Sequence, residues 1–259
     1  MEYTENSTED ITEDITENIT EDITEDITED TNDDESLEEL DETDKKEQEY
    51  NIIDGYLAYK KQFVILLSGL SGTNKSKIAN KIAKKIKFKC LDTRDYIDMD
   101  NPEEIELPNG KTVKVWKNYL WNKIIDEIEK YKKTGIVVCG EYFPSNKLEK
   151  VKVDLHIHIK LSKQKIINKR LEYIEKAEDK KKYYDNETES LIINQIIFPY
   201  YLEIVQKSII NKFINANEIL DSSQEEEFIE KIYNIALDTI INHVVEYLKY
   251  KSMDKYIVY

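Results

Sequence analysis

The sequence predicts an α/β protein: a mainly parallel central sheet with helices on both faces, preceded by an acidic tail that stays outside it. Three observations carry this reading. From Tyr50 onward, short apolar runs alternate with longer helical ones, and strands separated by helices imply a parallel sheet buried on both sides. The first of those strands passes through a glycine-containing turn straight into a helix. The charge, finally, is segregated. Residues 1–50 hold 23 Asp or Glu against Lys45 and Lys46, a net of −21, so the rest of the chain carries +4 to reach the total of −17.

Within the tail, Ile11 to Asp30 reads ITEDITENITEDITEDITED, a four-residue repeat whose one apolar member is isoleucine. On a helix these isoleucines advance by about 40° per repeat and leave any single face, while Thr and unpaired acids add low propensity and repulsion. A disordered acidic low-complexity segment over 1–50 is therefore expected. Basic partners are what such a tail would attract, but plain low-complexity expansion is the reading preferred to a binding role. One folded domain is expected over 51–259, and 40% hydrophobic residues suffice for its core.

The elements follow in order. Gln62 to Ser68 (QFVILLS) reads as a buried strand, and Lys75 to Ile86 as a helix with Ile78, Ile82 and Ile86 on one stripe. Phe88 to Leu91 is a short second strand. Ile105 to Val115 carries Asn109-Gly110 between two alternating halves, a hairpin signal. Trp116 to Lys133 shows Leu120, Ile124, Ile125 and Ile128 at helical spacing, with Gly135 as the stop before the strand Ile136 to Cys139. Val151 to Leu161 reads as another strand, on which Asp154, His156 and His158 share a face; a polar strand face under a helix is the reading preferred to a metal site. Ser162 caps a helix running to about Glu178. A helical region from about Ser190 to Lys212 is interrupted by Pro199, Phe213 to Ala216 is a last short strand, and Ser223 with Glu226 forms a capping box for a helix ending near Tyr250.

Other classes are excluded by simple counts. No apolar run reaches 18 residues and the N-terminus lacks a basic-then-apolar pattern, so a cytoplasmic protein without membrane contact is expected. Cys90 and Cys139 are isolated thiols in strand-like runs and read as buried and reduced. The excess of Ile, Lys and Asn over Ala and Gly is the bias of an A- and T-rich coding sequence. Lysine runs are weak signals for that reason, and +4 is too slight for nucleic-acid binding.

The chemistry gathers at Gly69-Leu70-Ser71-Gly72-Thr73-Asn74-Lys75-Ser76, which matches the phosphate-binding pattern G-x-x-x-x-G-K-[ST] except that Asn74 replaces the last glycine. Such a loop aims backbone N–H groups at phosphates and adds the positive end of the helix. Two of the chain's six glycines fall here. Asparagine tolerates positive φ, which the replaced glycine would need. Lys75 would reach the β- and γ-phosphates and the Ser76 hydroxyl would take Mg²⁺. The expected ATP-binding stretch is Gly69, Leu70, Ser71, Gly72, Thr73, Asn74, Lys75, Ser76 and Lys77. GTPase companions are missing: neither D-x-x-G nor N-K-x-D occurs.

With this loop, an Asp-rich turn after the second strand and IVVCGEYF after the third, residues from Phe63 to Ala216 resemble the P-loop nucleoside and nucleotide kinases, most closely uridine kinase-like proteins, with adenylylsulfate kinase a near relative. The resemblance implies a three-layer P-loop NTPase sandwich and an ATP- and Mg²⁺-dependent phosphotransferase for a small acceptor, a nucleoside or nucleotide. Its base would be Asp92 or Asp95, both in CLDTRDYI. Glu141, which family members more often place before the glycine, would stand near the metal or the substrate, beside Tyr142. Phe143, Trp116, Tyr119 and Trp121 are further aromatics for an acceptor pocket or for the core. Only two arginines exist, and both fall where the resemblance wants them: Arg94 beside the proposed base for substrate, Arg170 on a lid helix for the transferring phosphate, helped by Lys180, Lys181 and Lys182. The alternative is a nucleotide-binding protein with weak or no catalysis that works through partners.

Overall fold

A computed structural model describes residues 52–177, 183–219 and 225–254. The acidic tail, the three lid lysines, the Ser223 cap and the expected boundary at residue 50 lie outside the described residues. The central sheet has five strands in the order β2-β5-β1-β6-β7, and all four neighbouring pairs are parallel. Its strands are β1 (Val64–Ser68), β2 (Lys89–Asp92), β5 (Ile136–Gly140), β6 (Leu155–Lys160) and β7 (Lys212–Asn215). The α/β fold with a parallel sheet is therefore as expected.

Alternation along β1 divides the two cores. Ile65 and Leu67 face helix α1 (52–60), α2 (Lys75–Lys85) and the long α7 (Glu225–Asp254). Val64 and Leu66 face α3 (Trp121–Tyr131) and α6 (Phe198–Lys207). Three layers result, as successive strand residues must point to opposite faces. On α7 the buried residues Phe228, Ile232, Ala236, Ile240 and Val244 recur every four positions and seat the helix beside α2. Helix α4 (Lys163–Lys176) follows β6 and is capped by the Ser162 hydroxyl, which accepts from the Lys165 N–H.

Several boundaries differ from expectation, each for a local reason. Helix α1 was not signalled, because Gly55 interrupts a short stretch whose burial rests on Ile53 and Tyr56. Helix α3 starts at Trp121, not Trp116: Lys117 to Leu120 are not helical, and Tyr119 bridges to Ile97. Strand β6 starts at Leu155, not Val151, because Asp154 turns to accept from the Val64 N–H at 2.9 Å and from Gln62 Nε2 at 3.0 Å, closing the start of β1.

Pro199 does not break its helix. Helix α5 (Asn186–Ile192) runs through a π turn at Ile193–Ile197 into α6, where Pro199 sits in the first turn. The wider turn accommodates the ring and the missing N–H that an uninterrupted α-helix would reject. Helix α6 then ends at Lys207, five residues early, because Ser208 bonds the carbonyls of Phe143 and Ile204 and redirects the chain. The hairpin pairs β3 (Glu103–Glu106) with β4 (Thr112–Val115). It packs Leu107, Val113 and Val115 against Ile192 and Ile196, and Lys111 pairs with Asp185 at 2.7 Å.

Candidate functional site

The loop between β1 and α2 leaves the carboxyl end of the central strand, the position at which open α/β sheets bind ligands. Two glycines fit it there. A Cβ on Gly69 would lie 2.8 Å from the Ile159 carbonyl oxygen, so the loop crosses β6 too closely for a side chain. Gly72, at φ 88°, lies under Lys169 of α4 in the same way. The buried Thr73 turns its hydroxyl onto the Leu70 carbonyl at 2.8 Å and braces the arch.

Asn74 adopts φ 55°, ψ 20°, the left-handed conformation that the replaced glycine would have supplied. Asparagine is among the few residues that enter this region readily. Its side chain caps nothing, and no acidic residue stands in the first turn of α2. Among the described residues, the backbone N–H groups from Asn74 to Lys77 find no acceptor. They form the positive pole of an uncapped helix.

Lys75 is 5% exposed, and burial depresses its pKa; the field of Glu141 opposes that shift, while Arg94 reinforces it. Among the described residues no carboxylate reaches ion-pair distance of this ammonium. Burying a cation without a partner is unfavourable unless an anion arrives to join it. Ser76 accepts a hydrogen bond from Arg94 Nη2 at 2.8 Å, and the same guanidinium holds Asp92 through Nη2 at 2.7 Å and Nε at 3.1 Å. Asp92 also caps the following turn, accepting from the Arg94 N–H at 3.0 Å. Although partial burial opposes it, these bonds lower the Asp92 pKa to about 2. A cation thus already bridges a hydroxyl and a carboxylate, both hard oxygen donors suited to Mg²⁺. These residues fit the metal that the loop implies.

The other expected residues are placed as follows. Asp95 is exposed on the turn Thr93–Tyr96. Lys77 faces away from the loop and pairs with Glu225 of α7 at 2.6 Å. Arg170 pairs with the buried Glu189, Nε to Oε2 at 3.1 Å, and lies over the Tyr183 ring at 5.1 Å. Tyr142 donates to the Lys117 carbonyl at 3.1 Å and, with Tyr119, Trp121 and Tyr200, walls a cavity of about 750 Å³. Tyr119 and Tyr142 meet edge to face, as do Tyr142 and Tyr200. Trp116 lies outside this cavity, its Nε1 on the Met99 carbonyl, and Phe143 belongs to the core. No loop residue lines the cavity.

Behind the loop lies a network that the sequence did not announce. Ser68, the last residue of β1, contacts His156 Nε2 and His158 Nδ1, each at 2.7 Å, and all three are buried. His156 Nδ1 lies 3.0 Å from the Ile209 carbonyl, which only accepts, so this nitrogen carries the proton. Every other bond follows from that one. Ser68 donates to His156 Nε2, His158 Nδ1 donates to Ser68, and Tyr201 donates to His158 Nε2 at 2.6 Å. Burial lowers both histidines to about 4 and pushes Tyr201 up to about 12. Among the described residues no cluster of three metal-binding side chains occurs, and Asp154 belongs to a separate contact at the other end of β1. Cys139 is buried, and its thiol, raised by a hydrogen bond with the Cys90 thiol and by burial, also meets Ser76.

Among the described residues, no helix is long and apolar enough to cross a membrane. No family model and no curated protein matches the chain. Solved structures similar to it include a gluconokinase from Sinorhizobium meliloti, at 14% identity over 74% of this chain and 98% of that one, with a TM-score of 0.48. A shikimate kinase from Bacteroides thetaiotaomicron is similar at 12% identity over 68% and 98%, TM-score 0.42. One from Acinetobacter baumannii follows at 14% over 71% and 98%, TM-score 0.40. Likeness at this distance leaves the activity to be argued from the chain's own residues.

Proposed function

We propose that the chain is an ATP- and Mg²⁺-dependent phosphotransferase for a small acceptor, of the uridine kinase-like kind, with a nucleoside as the acceptor class. The observation that carries this is the buried Lys75 ammonium at an uncapped helix N-terminus: a cation and a row of free N–H groups converge where only an anion relieves them. In this reading Gly69 to Ser76 hold the phosphates, and Lys75 draws charge from the transferring group. Mg²⁺, when bound at Ser76, neutralises phosphate charge, with Glu141 on the same side of the site. The acceptor oxygen forms its bond to the γ-phosphorus as the bond to the ADP oxygen breaks, and the acceptor's proton passes to a carboxylate. That carboxylate is Asp92 or Asp95, which flank Arg94 at the turn after β2. Tyr119, Tyr142 and Tyr200 wall a cavity that would receive a nucleoside base.

ATP consumption with Mg²⁺, measured against nucleosides, nucleoside monophosphates, adenylylsulfate, gluconate and shikimate, tests this directly. Turnover that depends on one acceptor and falls by about a hundredfold or more in Lys75→Ala is the expected result. A second reading, nucleotide binding without transfer, is favoured by one observation: Arg170 is committed to Glu189 and not to the loop. ATP binding with no phosphorylated acceptor would decide for it.

A further inference from the structure

We propose that Arg94 is a built-in stand-in for the metal: in the nucleotide-free protein its guanidinium occupies the gap between Ser76 and Asp92, and a divalent cation arriving with nucleotide must eject it. This rests on the phosphate-loop reading above and concerns what the loop must do before it is loaded.

The contacts divide into two sets with different fates. The first set belongs to the side chain: Nη2 to Ser76 Oγ at 2.8 Å, Nη2 to Asp92 Oδ2 at 2.7 Å, and Nε to both carboxylate oxygens at 3.1 Å. The second is the Arg94 backbone N–H on Asp92 Oδ1 at 3.0 Å, which caps the turn. When the guanidinium leaves, the cap still holds the carboxylate in place. Leaving is easy for the arginine, whose side chain is 56% exposed, whereas Asp92 is 15% exposed and stays. An arginine cannot vacate the gap by losing a proton, so it has to rotate out bodily. A hard divalent cation takes the same oxygens at closer range and with twice the charge.

One consequence follows. Part of what Mg²⁺ contributes to nucleotide binding is spent on displacing Arg94, so the native protein shows a muted dependence on the metal.

The test is binding, not turnover. ADP affinity is measured calorimetrically on the full chain in Mg²⁺ and in EDTA, for the native protein, Arg94→Ala and Arg94→Gln, the latter keeping a hydrogen-bond donor without charge. The ratio of the two affinities is the gain due to metal. It should rise about fivefold in both variants, the scale of an exposed ion pair. An unchanged or smaller ratio in the variants, with ADP still bound, would overturn this proposal and leave the phosphate loop standing. Failure of ADP to bind the native protein under either condition would remove both.

Discussion

Two serines bracket the phosphate loop, and their surroundings differ in almost every respect. Ser68 closes β1 and sits in a buried chain of hydrogen bonds in which each donor has one acceptor and each proton one place. Ser76 opens α2 and shares an accessible cation with Asp92. The first arrangement leaves nothing for a ligand to gain. The second holds its cation loosely, beside a lysine that still wants an anion. Polar residues next to a binding loop therefore serve two purposes, holding the loop and exchanging with what it binds, and satisfaction together with burial tells the two apart.

Acid is the strongest way to break the contrast. A histidine held neutral near 4 in the fold, against an ordinary value near 6.5 when unfolded, binds fewer protons in the native state; its stabilisation is complete above about pH 6.5 and is lost as pH falls toward 4. For one histidine this amounts to about 3 kcal/mol. Urea midpoints across that range should fall steeply, and nitrogen shifts at neutral pH should show both rings protonated at Nδ1. A stability profile flat from pH 7 to 4.5 would contradict the network.

Substitution separates the serines next. Ser68→Ala leaves one nitrogen of each imidazole, His156 Nε2 and His158 Nδ1, without a partner in the interior and should cost about 2–4 kcal/mol in chemical denaturation. Arg94→Ala, which opens the other bridge to water, should cost less than about 1 kcal/mol. Equal losses would mean that the exposed bridge is structural too. The smallest effect belongs to Asn74→Gly, which keeps the left-handed backbone and should change stability and ADP affinity by no more than about 0.5 kcal/mol, whereas Asn74→Val should lose more than about 1 kcal/mol of stability.

What could be read in advance was what lies close together in the chain. The loop, its flanking strand and helix, and the alternation of β1 are contiguous, and contiguous patterns report local physics. Asp92 and Arg94 were also visible as neighbours, but not that both would turn toward Ser76, which needs β2 to lie beside β5 in the sheet. The buried chain joins Ser68 to residues 88 and 90 positions away, and Arg170 finds Glu189 19 positions further on. No periodicity encodes such meetings. The helix boundaries at Trp121 and Lys207 escaped for a related reason: apolar spacing continues through Leu120 and Ile209, while the bridge from Tyr119 to Ile97 delays the first helix and the Ser208 bond to the Phe143 carbonyl stops the second.

Asn74 carries a lesson about how such loops change over generations. Every glycine codon begins with two G letters, while asparagine is written AAT or AAC. A gene drifting toward A and T is therefore under steady pressure to abandon glycine, and at a left-handed position very few amino acids can take its place. Asparagine is one, with φ 55° here. What this site requires is a torsion angle, and asparagine meets the requirement as glycine would.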